Sequence, residues 1–313
     1  MTGRIFENTF FSLKRIHCCT FIFLLFALHF SNECLAGALP DSTSFSVNDS
    51  FPVLARAMQK GANDSIRYRA NKFFQEKLRI RLLEPGSDKI TFDDIANVSV
   101  VSDPKGIFRI FTWVIPEYNG DHYSYYGFIQ RSETEKGTIE LIELHDSTQR
   151  ILKPTAERLN ADRWLGAIYY SIIPVKKSGK LIYTLIGWKA SNTSYTEKVL
   201  ETFYFDDGKA QFGYPLFKPG STFRNRMIYR FGAHVNMTLR YEESKKLIVM
   251  DHLNSSSKQG ENLPPSQIGP DGRYDAFKYK SGHWILLNDI DIKTNWKPKK
   301  VDPVEPKPPA KEE

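Results

Sequence analysis

The sequence predicts a mainly β fold. It reads as an antiparallel β-meander, arranged as a sandwich or open barrel, with an N-terminal basic helical segment. Three observations predict it. Short apolar runs rich in Val, Ile, Tyr and Phe recur from Val98 to Leu287 with period-two alternation. Tight turns built on Gly, Asp, Ser and Lys separate them. The long crossover helices that a parallel doubly wound sheet needs are missing. A propeller fits the strand content, but no strict repeat is present.

Residues 1–38 have the three parts of a cleavable signal peptide. Arg4, Lys14 and Arg15 form a positive start. Cys18 to Phe30 is an apolar run of about 13 residues, interrupted by Thr20 and His29. A bilayer span needs about 20, so a retained anchor is the lesser alternative. Ala36 and Ala38 give an A-x-A site ending at Ala38, with cleavage after Ala36 as the alternative. Ser31-Asn32-Glu33 before Cys34 is not a lipid-attachment box. Residues 39–50 are small and polar and read as a flexible mature N-terminus.

Helical spacing then begins. Val53, Leu54, Ala57 and Met58 share a face. Gly61 to Asp64 interrupts, with Asn63 or Asp64 as the next N-cap. Ile66, Ala70, Phe73, Phe74 and Leu78 follow at steps of three and four, and Glu84-Pro85-Gly86 ends the segment 51–86. Arg79 to Leu82 suits strand as well as helix.

The β domain is expected over residues 87–295. Val98–Val101 and Ile107–Ile115 flank the turn Asp103 to Gly106. Tyr123–Gln130 and Ile139–His145 form a second hairpin across Glu135-Lys136-Gly137, and Ala167–Ile173 with Leu181–Trp188 a third about Lys177-Ser178-Gly179. Short helices are expected at 154–163 and, from the capping pattern Ser194-Tyr195-Thr196-Glu197, at 195–200. Glu201–Phe205 and Ala210–Phe212 turn at Asp206 to Lys209. Met227–Phe231, Val235–Tyr241 and Lys246–Met250 read as a meander. Tyr274–Tyr279 and Trp284–Leu287 close the domain around Lys280-Ser281-Gly282. Residues 296–313 are rich in Pro and Lys and read as a disordered tail.

Composition adds two constraints. All three cysteines, Cys18, Cys19 and Cys34, precede Ala38. A chain cleaved there is cysteine-free: it has no disulfide, thiolate metal site or thiol nucleophile. The net charge of +7 is also local. Arg56, Lys60, Arg67, Arg69, Lys72, Lys77, Arg79 and Arg81 face only Asp64 and Glu76 in one stretch, and the remainder after Ala38 is balanced.

No G-x-S-x-G elbow, H-E-x-x-H, P-loop or dinucleotide loop is present. The catalytic residues are therefore unknown from sequence. The candidate ligand or metal cluster is Asp251, His252, Asp271 and Asp275, with Asn288, Asp289 and Asp291 nearby. Carboxylates and carbonyls gathered at one sheet end suit a divalent cation such as Ca²⁺, the one cofactor left open. An Asp–His pair also suits general-base chemistry. Turn chemistry explains Pro270-Asp271-Gly272 equally well. The basic helix suits an anionic surface, and its plainer role is a solvated face. The tyrosines are core or sugar-binding residues. Tyr123 and Tyr125 alternate with Tyr126, so some are exposed or lie at a second interface.

Four stretches carry a resemblance. They are Ala167-Ile-Tyr-Tyr170, Leu181-Ile-Tyr-Thr-Leu-Ile-Gly-Trp188, Phe212-Gly-Tyr-Pro-Leu-Phe217, and Met250-Asp-His-Leu253 with Gly269 to Ala276. Over roughly residues 50–295 the chain resembles a group of uncharacterised exported proteins of Bacteroidota-type bacteria. The resemblance implies an envelope or secreted setting and no particular activity. The expectation is an extracytoplasmic protein, periplasmic, cell-surface or secreted, that binds an envelope component or polysaccharide without catalysis. The alternative is a hydrolase of an envelope or extracellular polymer acting through the Asp/His cluster. Nucleic acid is not an expected partner, and no transmembrane segment follows the signal.

Overall fold

The computed structural model describes residues 45–92, 95, 97–133, 138–256 and 262–291. The predicted signal peptide with its cysteines, the turn at Glu135-Lys136-Gly137 and the predicted tail lie outside the described residues. All described residues belong to one compact unit, Leu39–Glu313.

Helix α1 (Phe51–Lys60) has Pro52 in its first turn, where the missing N–H costs nothing. Helix α2 (Asp64–Leu83) is capped by Asn63, whose side chain accepts from Ile66 N at 3.0 Å. Residues 79–82 continue this helix, because Leu78 and Leu82 keep the helical burial step. Phe45 is buried, and Ser46 to Asp49 form a turn closed by the Asp49 carboxylate, so the described part of the N-terminal stretch has structure.

The strands form three sheets. Sheet I is β1 (Ser99–Ser102), β2 (Phe108–Glu117), β3 (His122–Glu133) and β4 (Thr138–His145), in that order. Sheet II has the order β5 (Leu159–Asn160), β9 (Lys209–Phe212), β8 (Tyr195–Asp206), β7 (Lys180–Ala190), β6 (Ile168–Lys177), and β11 (Arg226–Gly232) also pairs with β8. Sheet III runs β10 (Phe217–Lys218), β15 (His283–Leu287), β14 (Gly269–Lys280), β13 (Leu247–Asn254), β12 (Leu239–Glu242). Pairing is antiparallel throughout these sheets except between β10 and β15, which are parallel.

Alternation stacks the sheets. Phe111, Trp113, Ile115 and Phe128 point from sheet I to the helices. There Phe74 meets Phe51 and Trp113 edge-on, at 5.4 and 5.5 Å between ring centres. Phe108, Ile110, Tyr125 and Ile129 point the other way, onto Tyr169, Leu185 and Phe203 of sheet II. Ile182, Ile186 and Leu200 on the far side of sheet II bury Met250, Phe277 and Trp284 of sheet III. The result is four layers, helices and then three sheets. Tyr125 and Tyr126 occupy the two faces of sheet I, and Tyr126 stacks on Trp113.

Four sequence expectations are corrected. Residues 154–163 are not a helix: one turn after Lys153 gives way to β5, where Leu159 pairs with Phe212. Residues 195–200 are the centre of β8, with partners on both sides, so ladder pairing overrides the capping pattern. The meander breaks, because β11 joins β8 while β12 and β13 lie in sheet III. The segment Pro270-Asp271-Gly272, readable as a turn before a strand at Tyr274, lies inside β14. It bulges out of β14, with Gly272 at φ +89°.

Among the described residues, no helix is long and apolar enough to cross a membrane. The basic stretch is partly consumed by packing. Lys77 and Arg81 lie over the Phe51 ring, while Arg79 lies over Phe128 and pairs with Glu143.

Candidate functional site

The Asp/His cluster forms where β13 and β14 lose register. Asp251 pairs with Tyr274 and Leu253 with Pro270, so one residue of β13 faces three of β14. His252 lies diagonal to Asp275 across the ladder, and the mismatch brings Asp271 to its other side. His252 Nδ1 is 2.9 Å from Asp275 Oδ2, and Nε2 is 3.9 Å from Asp271 Oδ2. Asp275 Oδ1 accepts from Asp289 N at 3.0 Å, which fixes the carboxylate plane. Arg273 grips Asp271 through Nε and Nη2, and these bonds hold its carboxyl below the usual range. Asp251 stands apart. Its Oδ2 accepts from Thr238 N at 2.7 Å and closes the approach to β13.

Three of the four predicted residues are thus in direct line, and Asp251 joins His252 and Asp275 in the wall of one hollow of about 780 Å³. Tyr229 enters the same hollow. Its hydroxyl is buried without a hydrogen-bond partner, and burial, then Asp275, drives its pKa far up. Among the described residues, no three His, Cys, Asp or Glu side chains are grouped to hold a metal ion. The residues of the cluster bond one another, Arg273 or the backbone.

Two further hollows adjoin this one. A middle hollow of about 200 Å³ shares Pro154, Ile228 and Arg230 with the first. An outer hollow of about 770 Å³ shares His122, Tyr123, Thr148 and Gln149 with the middle one. The three therefore form a row. Tyr118, 65% exposed, and half-buried Tyr123 stand at its outer end, and half-buried Tyr195 lies under the Arg230 guanidinium. Arg230 in turn is paired with Glu197 at 2.6 Å.

Lys189 is the least expected member. It is 5% exposed, in β7 opposite Glu197, and it lines the middle hollow. Its Nζ donates to Thr148 Oγ1 and to Gly166 O, each at 2.9 Å, and lies 4.3 Å from the Tyr125 ring centre. Burial lowers its pKa. Asp146 stands behind Thr148. Its oxygens accept from Thr148 Oγ1 at 2.6 Å and from the backbone N–H groups of Tyr125, Thr148 and Gly166. Gly166 is required here, since a Cβ would lie 2.4 Å from Tyr125 Cβ.

No protein-family model, curated protein or solved structure matches the chain. Geometry must therefore carry the functional reading. Below the row, between sheets I and II, is a fully buried network that serves the fold. Arg226 donates to Glu201, which also accepts from the Tyr169 hydroxyl, and Tyr169 accepts from Trp164 Nε1 at 2.9 Å. Sequence reasoning missed Lys189, Glu201 and Arg226. The available signal was a charge at a position of apolar runs, as in Leu185-Ile-Gly-Trp-Lys189. Of the other histidines, His122 belongs to the outer and middle hollows, His145 to the outer one, and His283 contacts Lys177.

Proposed function

We propose that this chain is an exported, extracytoplasmic binding protein that holds an extended, hydroxyl-rich polymer, an envelope or extracellular polysaccharide, without catalysing its cleavage. One observation carries the reading: three adjoining hollows share walls, and tyrosine rings and paired charges line them. Rings take the apolar faces of sugars, while fixed polar pairs accept and donate to hydroxyls. A row of shallow sites suits successive units of a chain better than one compact molecule. Export is supported by the three-part N-terminus alone. The mass of protein recovered from an exporting host tests it: loss of residues 1–38 is expected, and an intact N-terminus would sink it.

Binding is tested by calorimetry against a panel of bacterial and plant polysaccharides. Tyr123→Ala should weaken binding to whichever polymer is held by about tenfold, as for a central aromatic contact. The reading fails with no binding across the panel, or with unchanged binding by both Tyr123→Ala and Tyr118→Ala.

The His252–Asp275 pair favours a second reading, hydrolysis of the same polymer. Asp275 would orient His252, and Nε2 would take a proton from an attacking water and return it to the leaving oxygen. Asp271 stands on the Nε2 side, where a substrate would have to approach, so the binding reading is the stronger. New reducing ends released by the wild type and abolished in His252→Ala would reverse that order.

A further inference from the structure

The middle hollow has a charge that its surroundings do not pair directly. Its walls include two cations, Lys189 and Arg230, and one carboxylate, Glu197. Arg230 and Glu197 neutralise each other at 2.6 Å. Among the described residues, no carboxylate lies within ion-pair distance of Lys189. Asp146 touches it only through Thr148 Oγ1, and beyond that Asp146 and Glu197 act on it through their fields alone; the oxygens of Asp146 are occupied by N–H and O–H donors. Glu201, also in the field of Lys189, is bound to Arg226. Burying an ammonium costs several kcal/mol unless it is compensated. Here two neutral oxygens, the Tyr125 face and the more distant Asp146, Glu197 and Glu201 compensate it, and among the described residues Thr148 Oγ1 and Gly166 O are its two oxygen acceptors. A buried, pre-oriented ammonium in a wall of a small hollow is the donor half of a charge-assisted hydrogen bond.

Resting on the polymer-binding reading above, we infer that the middle hollow is a carboxylate subsite and that the polymer is an acidic polysaccharide, with one uronic-acid unit seated so that its carboxylate meets Lys189. The hollow, about 200 Å³, has room for one sugar unit and not for two. The larger hollows on either side take its neighbours, with Tyr123 at one wall and the His252–Asp275 edge at the other. An acidic peptide supplies the same carboxylate. The tyrosine-lined flanks favour sugar rings, and the test separates the two.

The experiment compares binding of the chain, purified from an exporting host, to polygalacturonate, alginate and hyaluronan and to the carboxyl-reduced form of each. At least one acidic polymer should bind about tenfold or more tightly than its reduced form, the worth of one charge-assisted hydrogen bond. Lys189→Met should bring that ratio close to one, whatever it does to the affinity for the reduced polymer. If Lys189→Met does not fold, the comparison of acidic and reduced polymers on the wild type still decides the preference, and Thr148→Val, which loosens the lysine, should lower the ratio. Equal binding of acidic and reduced forms overturns the inference and leaves the groove reading standing. Binding of neither form, nor of any neutral polysaccharide, removes the groove reading itself. Tighter binding of a poly-glutamate peptide than of every uronic-acid polymer overturns the sugar assignment.

Discussion

His252 meets Asp275 on a diagonal. Asp275 pairs across the ladder with Met250, two residues before the histidine, yet Nδ1 and Oδ2 are 2.9 Å apart. The two share a face of the sheet, as i and j+2 neighbours of an antiparallel ladder do. The bulge at Asp271–Arg273 adds the second carboxylate, Asp271, on the other side of the imidazole.

Asp275→Asn should therefore loosen two elements at once. The carboxylate joins His252 on β13 and Asp289 N beyond β15. Losing charge on an acceptor of two bonds costs about 1–3 kcal/mol. Urea unfolding should register that loss, and amide exchange at Asp289 should accelerate. Unchanged exchange at Asp289 would mean that the carboxylate does not hold the end of the chain's last described strand.

Glu201→Gln should be among the most damaging single substitutions. Both Glu201 and Arg226 are wholly buried, and the substitution leaves the guanidinium without its counter-charge. Breaking such a pair costs about 3–5 kcal/mol. Replacing both residues by methionine should cost less than Glu201→Gln alone, because no charge is then stranded. Denaturant midpoints for the three proteins give the comparison, and a double variant worse than the single would contradict it.

Gly166→Ala should affect stability and binding together. The added methyl falls on the Tyr125 side chain, whose ring carries Lys189. Overpacking of this kind costs about 1–3 kcal/mol. Polymer affinity should fall with it, and Gly220→Ala, at a glycine with open space around it, serves as the matched control. Equal melting temperatures for the two variants would refute the contact.

Alkaline pH should unfold the protein through its tyrosines. Burial raises the Tyr125 and Tyr169 hydroxyls well above 10, helped by Asp146 and Glu201 respectively, and pushes Tyr126 up to about 12. The unfolded chain ionises at about 10. The folded state therefore holds more protons above that pH. The stability these groups contribute is complete below about 10 and is lost as pH rises towards their folded values. Ultraviolet titration should show phenolates that appear only together with loss of structure. Ionisation of every tyrosine at about pH 11 with native circular dichroism intact would contradict the burial.

The legible part of the fold is local. Ser178-Gly179, Asp207-Gly208 and Ser281-Gly282 all take positive φ, as two-residue hairpin turns demand, and each was readable from its residues. The cap was readable as Asn63 or Asp64, and alternation around Tyr125 and Tyr126 left exposure or a second interface open, of which the second holds. The nonlocal part was not legible. Ser194 and Glu197 form a helix-start pattern, but Glu197 is bound to Arg230 of β11, thirty-three residues away. Asp271 and Gly272 look like an ordinary turn, and only the pairing of β13 and β14 makes them a bulge. The Asp/His cluster was found because its members lie on two neighbouring strands. Lys189 was passed over because its partners, Thr148 and Gly166, come from other parts of the chain.

The parallel strand pair sets an order of assembly. β10 has a single ladder partner, β15, and Leu216 O accepts from Trp284 N at 2.9 Å. Trp284 also anchors sheet III to sheet II by donating to Thr184. A segment made early thus waits for the last described strand to be made before its edge is sealed. A nascent chain halted before His283 would carry β10 with only its local bridge to Arg224, together with the vacant seat of an indole ring. The completed sheet is therefore a record that synthesis has passed β15, and a protease that recognises loose strands distinguishes copies that have passed it from copies that have not.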